Sequence, residues 1–426
     1  MPRTLRRTVW VNSTYFAEGF PFMIVRYMTG VFLTDLGVRE LYLGFVNFFG
    51  IPWNLKFLWA PLLDYYGTKR RWLLALELLI GLGLTAIVVT VFLGIDPATA
   101  RPWWPPQQAL SCVIFIVAGL AFLSATHDIA IDGYYLVTLT DPADQAGYTG
   151  DRVLAYRLAV VFVKSVLVAA AAFLGWRYSW LGAALTMFLL FFLHRALLAD
   201  TETARVRTAT GLRDVAGHFL SAFRTYFAQP RVAIMLIFII AYKLGDEIMF
   251  SMNTPFLLRE LGLTKVQLSW VAGILGTIGT IAGSLIGARW ISRVGLQRAI
   301  WPLTLLMNVN IWAYIALAYW KPDPATTAGV ALIAAIHMYE QWAAGLGNAV
   351  LMIYLMRTCH ADFKAGHYAV GSAIMSLGST LFGGFGGALV EHVGYVGLYL
   401  IGFVAALPGM ALIPWIPHLR EEQRQA

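Results

Sequence analysis

Charge is what this chain has least of. Charged residues make up 13% and only 23 are acidic, against 59% hydrophobic residues and a mean hydropathy of +0.68. That balance excludes both an ordinary soluble domain and a disordered chain. Cysteine is nearly missing too: Cys112 and Cys359 are the two, each in or beside an apolar stretch, which excludes a disulfide framework and a cysteine metal site. No Gly-x-x-x-x-Gly-Lys-Ser/Thr loop is present, and the eight histidines show no metal-ligand spacing on one helix. Neither a catalytic residue nor a metal or other cofactor is therefore expected. The formal charge of +8 is spread over loops and not gathered on one face, so nucleic acid is not an expected partner.

What fills the chain instead is a series of apolar stretches, each about as long as a bilayer is thick. Twelve spans are predicted, near residues 10–34, 41–63, 72–95, 109–140, 152–175, 178–198, 231–257, 266–291, 299–319, 326–356, 367–390 and 396–417. The first carries Glu18, Pro21 and Arg26, which a cleavable signal would not. Basic residues collect on one side of this arrangement, in loops around Lys69, Arg70 and Arg71, from Arg195 to Arg231, and around Arg289, Arg293, Arg298 and Arg357. By the positive-inside rule both termini are cytoplasmic, in a multi-pass protein.

The chain also repeats itself. Leu36-Gly-Val-Arg-Glu-Leu-Tyr-Leu-Gly-Phe-Val46 matches Leu261-Gly-Leu-Thr-Lys-Val-Gln-Leu-Ser-Trp-Val271, and each joins an odd span to the next even one. Two parallel sets of six spans are the organisation of major facilitator transporters. The expected domains are thus a six-helix bundle over 1–198, a cytoplasmic linker over 199–230, and a second bundle over 231–426. In the linker Val215, Phe219, Phe223 and Phe227 recur every fourth residue, which predicts an amphipathic helix on the inner leaflet.

Ionisable residues inside the spans are the candidates for function, because a charge in the bilayer centre costs several kcal/mol unless it faces a polar path or a partner. On the fourth span Asp128 and Asp132 are one turn apart, with Tyr135 continuing their stripe and His127 turned away towards packing. Two nearby carboxylates in low dielectric suit proton coupling. Arg157 and Lys164 on the fifth span are placed to neutralise them or to receive an anionic substrate. On the seventh span Lys243 and Glu247 form a self-neutralising pair, leaving Asp246 as a further coupling candidate opposite Glu18 of the first span. Glu340 on the tenth span, beside His337, is read as another unpaired acid, and Lys56 as a base in the second. Asp64 with Lys69, Arg70 and Arg71 forms a cytoplasmic gate signature. Glycines of the eighth and eleventh spans allow close helix approach.

Lys56-Phe-Leu-Trp-Ala-Pro-Leu-Leu-Asp64, Ser124-Ala-Thr-His-Asp-Ile-Ala-Ile-Asp132, Tyr156-Arg-Leu158 and Tyr242-Lys-Leu-Gly-Asp246 together resemble the AmpG-type permeases, the major facilitator branch that includes acetyl-CoA transporters and some siderophore importers. The resemblance extends over nearly the whole chain. It implies a proton-driven importer of the inner (cytoplasmic) membrane carrying an anhydromuropeptide from cell-wall recycling. It also implies roles for Lys56, Asp64, Asp128, Asp132, Arg157, Lys243 and Asp246. His127 stands where the pattern has Gln, and Gly133-Tyr-Tyr-Leu136 where it has polar or basic residues, an aromatic pair suited to stacking on a sugar or chelator. The expectation is a secondary transporter, not an enzyme. Its partners are a small-molecule substrate, protons and the lipid bilayer, and it acts as a monomer. Proton coupling is assigned to Asp128, Asp132, Asp246 and Glu247. Substrate binding is assigned to Glu18, Lys56, Tyr135, Arg157, Lys164, Lys243 and Glu340. Other cargoes, a siderophore, a CoA ester, a sugar or a drug, fit the same fold, and a membrane enzyme using His127, His337 or His367, or a transport-dead sensor, are the competing classes.

Overall fold

Every regular element is a helix in the computed structural model, which describes residues 3–96, 98–101, 103–200, 212–360 and 364–419. Seven helical stretches among them are long and apolar enough to cross a membrane: Lys69–Gly94, Pro106–Thr138, Ala143–Phe173, Trp176–Leu197, Lys265–Val294, Leu296–Trp320 and Gly386–Trp415. The remaining expected spans are interrupted or more polar. The first runs as Arg3–Met23, a π turn Ile24–Met28 and Thr29–Asp35. The second changes helix type at Val46–Gly50 and again at Lys56–Leu58. The seventh is divided between Val232–Ala241 and Leu244–Ser251 and continues through a π turn at Phe256–Glu260. The tenth is one helix, Thr327–Arg357, and the eleventh is Lys364–Gly384.

Three of the irregularities hold a lysine, buried at Lys164 and Lys243 and half-buried at Lys56. Lys56 opens the 3-10 turn of the second span, Lys164 lies in the π turn Phe162–Leu167 of the fifth, and Lys243 caps the break in the seventh at φ −105° and ψ 4°. Inside a membrane a departure from α geometry leaves backbone groups to be satisfied by neighbours, so it persists where polar side chains gather.

The sequence repeat is matched by the backbone. Among the described residues the six glycines with positive φ fall into three pairs at equivalent turns: Gly37 (78°) with Gly262 (75°), Gly67 (75°) with Gly295 (80°), and Gly175 (91°) with Gly394 (68°). Each precedes a span, and side-chain-bearing residues rarely adopt that conformation. Gly394 breaks the helix Gly386–Leu412, so the last span begins after it.

The chain packs as two compact units, Met1–Phe32 with Leu55–Leu212, and Leu33–Asn54 with Arg213–Ala426. The division falls within the expected linker. Residues 33–54 pack with the second unit although they belong by sequence to the first two spans. In the first unit Leu73, Leu84, Val113, Val117, Trp180 and Met187 are buried between helices. In the second, Phe238, Leu303, Leu346 and Tyr354 anchor a continuous core. Within the expected linker a helix runs over Leu212–Phe227. Its Ala222 and Tyr226 are buried, and Thr225 Oγ1 lies 2.8 Å from His367 Nε2, so it packs on the second unit. Val215 and Phe219 have side chains outside the described residues.

Candidate functional site

In the first unit the two carboxylates of the fourth span each receive a base. Lys56 Nζ forms an ion pair with Asp128 Oδ2. Asp132 Oδ1 accepts from Arg152 Nη2 at 2.9 Å and from the Tyr15 hydroxyl at 2.8 Å. The Arg152 guanidinium carbon lies 4.2 and 4.4 Å from the ring centroids of Tyr15 and Tyr135, which meet edge to face at 85° with their centroids 5.6 Å apart. Both rings add cation–π attraction to the charge pair. The Tyr135 hydroxyl donates to the Gln145 carbonyl at 2.6 Å, locking that ring. Glu18 acts electrostatically on the same group through Asp132, Lys56 and Arg152, and its Oε2 is buried without a hydrogen-bond partner.

The neutralising role expected of Arg157 and Lys164 is therefore filled by Arg152 and Lys56. Arg157 is half-buried and has no ion-pair partner among the described residues. Lys164 is buried with Nζ 4.7 Å from the Tyr27 ring centroid. Arg152 escaped the sequence reading because it stands beside Asp151 at the polar head of the fifth span, where composition resembles a loop. Its position one turn before Tyr156 was the available signal.

In the second unit Lys243 is the hub. Its Nζ lies 3.3 Å from Asp246 Oδ2, 3.4 Å from Glu247 Oε1 and 2.9 Å from Asn348 Oδ1, while Ser379 Oγ donates to Glu247 Oε2 at 2.8 Å. Asp246 is thus not left without a local partner, as expected from spacing, because the break at Lys243 lets one ammonium reach both acids. Its Oδ1 remains buried without a hydrogen bond. Glu340 is not unpaired either. Gln341 Nε2 donates to its Oε2 at 2.7 Å, and His337 Nδ1 lies 3.6 Å away while bonding the Tyr314 hydroxyl at 2.8 Å.

Of the gate signature, Lys69 is buried with its stem against Gly133. Arg70 donates to the carbonyls of Leu198 at 2.9 Å and Arg195 at 3.2 Å, and Arg6 to that of Leu197 at 2.7 Å. Together they satisfy the open carbonyl end of the sixth span. Arg71 is exposed. The side chain of Asp64 lies outside the described residues.

The comparisons with known proteins give these sites a context. The family described as "Acetyl-coenzyme A transporter 1" matches residues 13–154. The anhydromuropeptide permease of Escherichia coli strain K12 is 30% identical over 406 residues, covering 93% of this chain and 77% of the relative. A Haemophilus influenzae protein of uncharacterized role is 28% identical and covers 99% of this chain and 96% of its own length. Among solved structures, a D-xylose-proton symporter superposes with a TM-score of 0.69 at 13% identity, covering 98% of this chain and 99% of that one. The nucleoside transporter NupG superposes with a TM-score of 0.62 at 17% identity, covering 98% and 100%. These likenesses show the fold, the all-α polytopic architecture of major facilitator transporters.

Proposed function

The chain belongs to the anhydromuropeptide permease family, and from that premise we propose that it imports an anhydromuropeptide with protons across the inner (cytoplasmic) membrane, as a monomer with both termini cytoplasmic. The relatives are transporters, and nothing in the site calls for bond-making chemistry.

The observation that carries the reading is that both units hold intramembrane acids against bases: Asp128 with Lys56 and Asp132 with Arg152 in one, Asp246 and Glu247 with Lys243 in the other. A muropeptide brings a sugar ring and peptide carboxylates. The aromatic pair expected to stack on a sugar is buried, with Tyr134 and Tyr135 bonded to backbone carbonyls and Arg152 against the Tyr135 ring, whereas the carboxylates suit Arg152, Lys56, Arg157, Lys164 or Lys243. A base recruited by cargo leaves its own acid unpaired in low dielectric, and that acid then favours a proton. Cargo and proton thereby favour the same state, which is the differential affinity that coupling by alternating access requires. In this scheme Asp128, Asp132, Asp246 and Glu247 are the coupling acids, Glu18 and Glu340 line the polar route, and Asp64, Lys69, Arg70 and Arg71 form the cytoplasmic gate.

The test is uptake of labelled anhydromuropeptide into proteoliposomes under an inward proton gradient, with Asp128→Asn and Asp132→Asn alongside. Accumulation that needs the gradient and is lost in either variant supports the reading. A folded wild type that accumulates none discards the cargo. The profile match over residues 13–154 makes a CoA ester the second cargo to assay.

A further inference from the structure

Away from the Asp128 and Asp132 pairs, the first unit buries a second titratable cluster. Glu77 of the third span, His127 of the fourth and His194 of the sixth are each 0% exposed. His194 Nδ1 lies 2.5 Å from Glu77 Oε1, and His127 Nε2 lies 3.5 Å from that same oxygen. His194 Nε2 is 3.0 Å from Ser13 Oγ on the first span, and Ser13 is half-buried. Glu77 Oε2 and both ring nitrogens of His127 make no hydrogen bond.

We propose that Glu77, His127 and His194 form a proton-binding site, loaded through Ser13 and His194, that holds one exchangeable proton.

The argument is a count of charge. With all three groups deprotonated the cluster is an isolated anion, and with both rings charged it carries a net positive charge. With one proton it is neutral, the one state that burial tolerates cheaply. The other groups on the helices that meet here do not replace that proton. Asp128 and Asp132 on the fourth span are held by Lys56 and Arg152. Tyr15 and Glu18 on the first belong to that same group. Tyr134 and Tyr135 bond backbone carbonyls. Lys69, Arg70 and Arg71 stand at the start of the third span, with Arg70 bonded to carbonyls, and Arg195 on the sixth is exposed. Among the described residues the charges that act on Glu77 are the two imidazoles alone.

This separates the cluster from the acid pairs. Protonating Asp128 or Asp132 in this state strands a permanent cation, whereas the partners of Glu77 are imidazoles, which gain and lose protons near neutral pH. The geometry is also that of a relay. A half-buried hydroxyl, a ring with two nitrogens and a carboxylate oxygen follow in order at 3.0 and 2.5 Å, and His127, 3.5 Å beyond and not hydrogen-bonded in this state, adjoins Asp128 in sequence. The inference deepens the proton-coupled reading above by naming where a proton waits.

The test uses no cargo, so its failure is distinguishable from failure of the muropeptide assignment. Purified protein labelled with 15N-histidine is reconstituted in nanodiscs and its imidazole resonances followed from about pH 5 to 9, assigned with His127→Asn and His194→Asn. The expected result is a coupled, reversible titration of the two rings within that range. In Glu77→Gln, His194 should bind its proton roughly tenfold more weakly or worse. Rings that keep one protonation state throughout overturn the proposal, and this outcome is readable in the wild type even if the variant fails to fold.

Discussion

Arg152 decides more of the site's geometry than either aspartate, because three of its neighbours are fixed by it: Asp132 through the ion pair, and Tyr15 and Tyr135 through their ring faces. An ammonium cannot reproduce a flat guanidinium that reaches two tyrosine rings while bonding a carboxylate. Arg152→Lys is therefore expected to lower uptake kcat/KM about tenfold, the equivalent of two partly exposed cation–π contacts, in the proteoliposome assay. Unchanged kinetics would show the stacking to be incidental. Lys56 and Asp128 permit a separate measurement. Lys56→Met leaves a poorly exposed carboxylate unpaired, and Asp128→Asn leaves an ammonium that can still reach water. A double-mutant cycle on unfolding in detergent should give a coupling of about 1–3 kcal/mol, and additive effects would deny the pair. The sequence made Asp128, Asp132 and Lys243 legible because an acid or base in an apolar run is conspicuous. It supplied the Lys243 pair with Glu247, which lies one turn away on the same span, but not the partners of Asp128 and Asp132. Periodicity within one helix fixes which residues share a face, while Arg152, Glu77 and His194 join their partners from other helices, and no spacing connects them.

At the level of elements, the legible part was the glycine pattern. Gly279, Gly283 and Gly287 lie on one face of the eighth span, and a Cβ added at Gly283 would strike the carbonyl of Trp342 on the tenth. That obstacle is backbone and cannot swing aside. Gly283→Ala is expected to cost about 1–3 kcal/mol through forced separation of the two helices. Gly119→Ala, where nothing lies within 4 Å, should be neutral or stabilising, since alanine is the better helix former. Thermal unfolding of both variants checks this, and equal Tm changes would refute the packing argument. The breaks at Lys56, Lys164 and Lys243 were not legible. Hydropathy averages over a window and records a lysine as a mere loss of apolarity, whereas the structure bends the helix there and turns the ammonium to a partner.

For the molecule as a whole, the segment 33–54 is the feature whose packing departs from its place in the sequence. Its carbonyls are grasped by one side chain: Arg259 donates to Thr34 O at 2.9 Å and Val38 O at 2.7 Å, and pairs with Glu40 at 3.0 Å. Lys265 holds Asp35 at 2.7 Å, Arg39 holds Glu391 at 2.7 Å, and Asn54 bonds Thr380 at 2.8 Å. The chain on either side of this segment belongs to the first unit, while the clasp itself lies wholly within the second. Arg259→Ala removes charge-assisted bonds to four acceptors, the carbonyls of Leu33, Thr34 and Val38 and the Glu40 carboxylate, each worth about 1.5–3 kcal/mol where fully formed. It is expected to speed amide exchange over residues 36–45 at least roughly tenfold, with the helix Lys69–Gly94 unchanged as the internal control. Exchange that rises equally in both, or in neither, would mean that Arg259 does not hold the segment. Acid gives the complementary test. The Arg39 guanidinium and the Leu41 amide hold the Glu391 carboxyl below the usual carboxylate range. A depressed value contributes stability that is present above the unfolded carboxylate range and is lost only as pH falls through the lowered one. The Leu41 amide, which donates to Glu391 at 3.1 Å, should therefore stay protected, after correction for intrinsic exchange, at the mildly acid pH that would drive import, and lose protection only in stronger acid. Loss of that protection already near about pH 6, well above the ordinary carboxylate range, would instead place an acid-released element in the clasp.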